Sequence, residues 1–255
     1  MPWDHGDRSA RELVAKSCRM LGKLDLTKGG MGHVSQRTPD GQHFLVRAKG
    51  FEEVGVRYTT EEHIVKVDLD GKMVAGADGL EPPGEIHIHS WLYKMRAGTN
   101  CVVHVHPLTP MLFTICDKPI LPLFGGYDPH MLALILDGIP IYDRSITIKN
   151  DRLAKEFVAA MGDKRGCLMR GHGITTAGGS VEEATVTAIQ INEIAEINYR
   201  AQLLGGARPI PEEDLAEFDE RSEGIKAQQK KAPTREGAAA RRALWWNYYS
   251  RLTGE

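Results

Sequence analysis

One short run, Cys101-Val-Val-His-Val-His-Pro107, constrains this chain more than any other stretch. Val102, Val103 and Val105 are β-branched and favour extended backbone. Side chains in a strand return to one face every second residue, so His104 and His106 point the same way, with ~7 Å between their Cα atoms. Neutral imidazole is a strong ligand for divalent transition metals. The pair is therefore either two half-buried histidines bonded to backbone or two arms of a metal site. A third imidazole and a carboxylate favour the second. His172 stands between Gly171 and Gly173, directly after the apolar run Cys167-Leu-Met169. Flanking glycine lets the backbone carry an imidazole into a crowded place. Glu85 follows Leu80-Glu-Pro-Pro-Gly84 at the expected start of a helix, within reach of the same place. Three histidines with open coordination positions describe a catalytic metal centre, and one free carboxylate opposite them its general acid/base.

Around this feature the periodicity predicts mostly antiparallel sheet, then helices. A helix over 9–24 begins with a capping-box-like Ser9 and Glu12 and carries Leu13, Cys18, Met20 and Leu21 on one side. Val34–Arg37 and Phe44–Arg47 flank a Pro-Asp-Gly turn, and Ile64–Leu69 and Lys72–Ala75 flank Asp70-Gly71, so each pair reads as a hairpin. Helices are expected over 85–96, 110–116 and 150–161, with a short strand over 119–124 and a loop over 125–130. Ser180 reads as an N-cap, with Glu182 and Glu183 suiting the positive end of a helix that runs to Leu204 and stops at Gly205-Gly206. The glycines of Lys28-Gly-Gly-Met-Gly-His33 have neither phosphate-loop nor dinucleotide-fingerprint spacing.

Bulk properties exclude several classes. A formal charge of -2 is too small for electrostatic capture of nucleic acid or anionic membrane. No apolar run reaches the ~18 residues of a spanning helix, and the start resembles no signal peptide. Cys18, Cys101, Cys116 and Cys167 are scattered without a CxxC pair, which suits reduced thiols in a cytoplasmic protein. The chain divides at about residue 206. Residues 207–255 form a charged, helix-compatible extension, in which Lys226–Lys231 reads as a solvated face. It ends in Trp245-Trp-Asn-Tyr-Tyr249, aromatics that should pack on the body, a neighbouring subunit or a ligand.

Over most of residues 10–205 the chain resembles the class II aldolase/adducin family. The residues that carry this are Gly32-His-Val-Ser-x-Arg37 with Phe44-Leu-Val46; Val67-Asp-Leu-Asp-Gly71; Glu85-x-x-x-His89-x-x-x-Tyr93-x-x-Arg96; Val102-Val-His-Val-His-Pro107; and Gly171-His-Gly173 with Gly178-x-x-Val181-Glu-Glu-Ala184. The resemblance implies an α/β fold of three layers, α/β/α, with a central mixed, largely antiparallel sheet. It further implies a homotetramer with sites at subunit interfaces and one divalent transition metal per subunit (Zn, Mn, Fe, Co or Ni). His104, His106 and His172 would be its ligands and Glu85 the acid/base residue. His89 would support its helix; His87 matches no family position and is read as a residue at the surface or behind the site.

The sugar-phosphate aldolases of the family hold phosphate with a Gly-Asn turn, a Thr-Gly pair and a Ser-Ser pair. Here those stretches read Gly32-His33, Ala48-Lys-Gly50 and Pro83-Gly84, without the hydroxyl and amide groups. Adducins keep the fold but lack the metal histidines. The resemblance thus points to a metal-dependent lyase acting on a small carboxylate, foremost a decarboxylase of an ortho-hydroxy aromatic or heteroaromatic acid such as dihydroxyphthalate or a hydroxypyridine dicarboxylate. The alternatives are an aldolase for an unphosphorylated hydroxy or keto acid, and a non-catalytic scaffold. Arg37, Arg47, Lys49 and Arg170 are candidates to hold a substrate carboxylate by charge-assisted hydrogen bonds. Tyr127 and His130 are candidate substrate-side residues, and Tyr248 and Tyr249 could close a neighbour's site.

Overall fold

The central strands are apolar on both faces, so each face needs a cover. A computed structural model describes residues 7–50, 55–218 and 235–255. It places β1 (His33–Arg37), β2 (His43–Arg47), β4 (Ile64–Asp68), β5 (Met73–Ala75), β7 (Cys101–Val105), β8 (Ile141–Tyr142), β9 (Gly166–Met169) and β10 (Gly173–Gly178) in one sheet. The order is β5-β4-β2-β1-β7-β10-β9-β8. Every pairing is antiparallel except β8 with β9, so the sheet is mixed and largely antiparallel as expected. β3 (Lys49–Gly50) and β6 (Leu80–Glu81) form a separate small ladder.

Alternation along β7 divides the core. Cys101, Val103 and Val105 join Val14, Cys18 and Leu21 of α1 (Asp7–Lys23) and Val181, Ala188 and Ile191 of α6 (Val181–Leu203). Val102 faces the other way, with Ile88 and Leu92 of α2 (Ile86–Met95) and Leu153 and Phe157 of α5 (Asp151–Met161). Two helical layers therefore enclose the sheet. His104 shares a face with Val102, and the α2 layer covers it.

Several local expectations are corrected. α1 already runs at Asp7, so Ser9 lies inside the helix; Glu12 is no capping-box partner and pairs with Arg19 instead. Residues 119–124 form no strand, because the Leu121 amide and carbonyl are both taken by the Asn198 side chain on α6. The expected loop 125–130 ends early: Asp128 caps α4 (Pro129–Asp137), accepting from the His130 and Met131 amides. α3 (Leu108–Ile115) follows β7. Ser180 caps α6 as expected, by accepting from the Glu183 amide.

The C-terminal helix, α7 (Arg235–Leu252), packs on α6. Trp246 and Tyr249 are buried in the α1/α6 core, and the Tyr249 hydroxyl donates to Glu193 Oε2 at 2.8 Å. Tyr249 is thereby spent inside its own chain and does not reach outward to a neighbour; Tyr248 is exposed. Lys226–Lys231 lie outside the described residues. No helix among the described residues is long and apolar enough to cross a membrane.

Candidate metal centre

The two strand histidines enter the site by period alone, and register does the rest. His104 lies opposite His33 of β1 on one side and Thr175 of β10 on the other. The turn between β9 and β10 delivers His172. Gly171 holds a φ of 58°, a left-handed conformation that side chains disfavour. At Gly173 an added Cβ would lie 2.3 Å from the Val105 carbonyl oxygen, so only glycine lets β10 approach β7 this closely. The paired glycines around His172 thus have two different causes.

The rings of His104, His106 and His172 form a nearly equilateral triangle. Their centroids are 4.8, 5.0 and 4.8 Å apart, and each pair is edge-on, at 68–79°. Glu85 closes the figure from the N-cap of α2: its Oε2 lies 3.3 Å from His104 Nε2 and 3.2 Å from His172 Nε2. The other carboxylate oxygen, Oε1, accepts from the Ile148 amide at 2.8 Å, which fixes the side chain. One ligand atom from each of these four residues lies within 4.8 Å of the other three. Glu85 therefore stands inside the donor cluster rather than opposite it.

The donor set fits a divalent cation. Thr175 donates its hydroxyl to Met169 Sδ at 3.4 Å, so it accepts from His104 Nδ1–H at 3.0 Å. That bond leaves His104 Nε2 with a lone pair, aimed at His106 Nε2 only 2.9 Å away and at Glu85. Burial, ahead of the neighbouring charges, pushes His104 below the ordinary imidazole range and His106 down to about 3. Burial alone would raise Glu85; positive charge at His104 and His172 outweighs this and holds it below the usual carboxylate range, a charge that a bound cation supplies once those rings are neutral. Electron-rich atoms converging on one point in a water-poor place repel one another unless a cation lies between them. The Thr175 bond is the kind of outer contact that orients a metal-binding imidazole.

The remaining sequence candidates are placed elsewhere. Arg37 is on the same sheet face as His33 but four residues along β1, roughly 13 Å away; it donates to the Gly41 and Tyr93 carbonyls. Arg47 points to the opposite face, where it is buried and donates to Thr59 Oγ1 and the Gly30 carbonyl. Lys49 pairs with Glu81 on the small ladder. Arg170 is bound by Asp117, Asp143 and the Thr114 carbonyl, and so anchors the turn that carries His172. Tyr127 and His130 are exposed at the start of α4, which packs with α6. His87 pairs with Asp151 at the surface.

His33, Ser35, Thr175 and Tyr93 were not singled out as site residues, yet they line or back the cluster. The signal for His33 and Ser35 is the run Gly32-His-Val-Ser-x-Arg37, and for Tyr93 the four-residue beat Glu85, His89, Tyr93; Thr175 has none.

An imidazole triangle closed by one carboxylate, on a three-layer sheet of this order, defines a metal-competent catalytic scaffold. The chain belongs to the class II aldolase and adducin family, whose N-terminal-domain model matches residues 12–199. It is similar to 3,4-dihydroxyphthalate decarboxylase from Arthrobacter keyseri, at 37% identity over 82% of this chain and 86% of that one. The same-named protein of Terrabacter sp. (strain DBF63) is 36% identical over 86% and 93%. Among solved structures, an aldolase II superfamily protein from Pseudomonas syringae superposes with a TM-score of 0.79 at 23% identity, covering 98% and 95% of the two chains.

Proposed function

We propose that the protein is a carboxy-lyase that removes one carboxyl group from an ortho-hydroxylated aromatic dicarboxylate, with 3,4-dihydroxyphthalate as the substrate to test first. The convergence of Glu85 on three imidazoles carries this reading, and the names of the two decarboxylase relatives give its substrate class. His104, His106 and His172 would hold one divalent transition metal; when bound, it supplies a Lewis acid that favours negative charge on the ring oxygen.

The protein's own part is proton movement. Glu85, ionised at rest, takes the proton of the ring hydroxyl. It then delivers that proton to the ring carbon as the bond to the carboxylate breaks. Carbon dioxide leaves, and the phenolate regains a proton from water, so atoms and charge balance. Loss of the carboxyl group ortho to the 3-hydroxyl gives 3,4-dihydroxybenzoate, the product this reading predicts because that hydroxyl and carboxyl can face Glu85 together; loss of the one para to the 4-hydroxyl would give 2,3-dihydroxybenzoate instead.

An aldolase reading is less supported, since the phosphate-holding groups are replaced by Gly32-His33, Ala48-Lys-Gly50 and Pro83-Gly84. We extend the reading to a homo-oligomer with sites at subunit interfaces. Met31, Leu108 and Ile115 are exposed apolar side chains beside His33, His106 and Gly171, a rim suited to an aromatic ring or a second subunit. Tyr127 and His130 would then serve a neighbour's site. Metal-loaded protein should release carbon dioxide from 3,4-dihydroxyphthalate, and Glu85→Gln should lower kcat by ~10²–10⁴. Turnover by the Gln variant at near-normal rates would remove Glu85 from the chemistry.

A further inference from the structure

Behind the imidazole triangle lies a second, fully internal chain of polar groups. His33 Nδ1 is 2.6 Å from His89 Nε2, His89 Nδ1 is 2.6 Å from Ser35 Oγ, and Ser35 Oγ is 2.6 Å from the Tyr93 hydroxyl. Ser35 and His89 are fully buried, and Tyr93 nearly so. Two periodicities assemble it: His33 and Ser35 are two apart on β1, and His89 and Tyr93 are four apart on α2. Its open end faces the metal centre, for the His33 ring is 5.1 Å from that of His104.

Hydrogen-bond accounting gives this chain a direction. Burial pushes the Tyr93 phenol well above its ordinary value, so it keeps its proton. Its hydroxyl meets Ser35 Oγ and the Val102 amide, and since an amide can only donate, Ser35 is the acceptor open to the phenolic hydrogen. A buried O–H without an acceptor is costly. Tyr93 therefore donates to Ser35, whose own hydrogen must go to His89 Nδ1. Burial, ahead of the neighbouring His104, holds His89 at about 3, so it is neutral and its single N–H is on Nε2, donated to His33 Nδ1. His33 is left with its proton on Nε2. That atom has no partner among the described residues, and it is not one of the buried unpartnered atoms, so the 6% exposure of His33 reaches it. Adding a proton to His33 would leave this N–H in place, so the conclusion does not turn on the charge of the ring.

We propose that His33 Nε2–H is a fixed hydrogen-bond donor to an anionic oxygen of the substrate, carboxylate or phenolate, and that Tyr93, Ser35 and His89 are positioning residues that lock it in that tautomer. The chain can offer a donor there but not an acceptor, so it favours an accepting oxygen, and a charged one bonds it more strongly than a neutral one. This rests on the decarboxylase reading for the identity of the ligand, though not for the direction of the chain.

Side-chain ¹H–¹⁵N correlation spectra of the zinc-loaded protein should show His33 as the Nε2–H tautomer, and Tyr93→Phe should convert it to a mixture. KM for 3,4-dihydroxyphthalate should rise about ten- to hundred-fold in Tyr93→Phe and His33→Phe, with kcat and zinc content near wild type. His33→Gln, which keeps an amide N–H near the Nε2 position, should recover most of the loss. A His33 Nδ1–H tautomer in the wild-type protein, or an unchanged KM in His33→Phe, would overturn the proposal. If the protein releases no carbon dioxide, the decarboxylase reading fails by itself. The donor is then read by titration with 3,4-dihydroxybenzoate: a shift of the His33 Nε2–H signal that is lost in Tyr93→Phe upholds it, and no shift overturns it. Should Tyr93→Phe not fold, the His33 pair of variants still decides.

Discussion

The two faces of the central sheet both bury polar side chains, and they satisfy them in opposite ways. On the α1/α6 face each polar group closes on a partner within the fold: Arg47 on Thr59 and Gly30, Asn198 on Leu121 and Ile194, Tyr249 on Glu193, and the hydroxyls of α6 and β10 on nearby backbone. Thr185 donates to the Val181 carbonyl, Thr187 to Glu183 and Thr176 to Ala184, while Ser17 and Thr185 pair at 2.6 Å. On the α2 face they are imidazoles and a carboxylate bonded to one another, with lone pairs and one N–H left pointing at a shared space. Burial is similar on both sides. What separates scaffold from site is whether the hydrogen-bond account closes locally.

The largest effect that would break this contrast is removal of an imidazole. His172→Ala or His104→Ala should lower bound metal to far below one ion per chain by mass spectrometry and abolish turnover; full metal content in either variant would make that histidine structural. Thr175→Val keeps every ligand but removes the bond that orients His104. It should weaken metal affinity by about 10–100-fold in a competition titration with a chelator, and an unchanged affinity would detach Thr175 from the site. Gly173→Ala sets a methyl against the Val105 carbonyl. It should cost roughly 1–3 kcal/mol in denaturant unfolding and lower metal content with it, since β10 and β7 must part.

On the other face, Thr185→Val should cost only about 1 kcal/mol and leave metal content and kcat unchanged. The smallest effect belongs to Glu255, which ties α7 to Arg19 and Lys23 of α1. Burial opposes its ionisation, but those two cations outweigh it, so its folded pKa is below the ordinary value. The stability it adds is therefore present at neutral pH and lost as pH falls through that depressed value. Melting curves of the wild-type protein and Glu255→Gln should differ slightly at neutral pH and coincide in strong acid, the difference shrinking with added salt.

The parts of the site legible in the chain are those written in local spacing. His104 and His106 follow from a period of two, His172 from its glycines and Glu85 from a helix start. His33 and Thr175 flank His104 only through strand register, which no local pattern records. Cationic residues near the motifs in sequence were candidates for the site, but Arg47 falls on the wrong face and Arg170 is held by two aspartates. Pairing of β8 parallel to β9 and the irregular path of 119–124 were equally invisible, because both depend on partners distant in sequence. The layered α/β arrangement was recognised through several ordered motifs at once, none of which suffices singly.

The spacing of Glu85, His89 and Tyr93 along α2 has one more consequence. On the proposed reading the proton carrier and two members of the tautomer lock ride on a single rigid rod, whereas the three candidate ring ligands hang from β7, the residue just past it and the β9–β10 turn. On that reading, a slide of the rod by even part of a turn would unseat the base and scramble the donor together while leaving the cation in its cradle, so metal occupancy and catalytic competence would come apart.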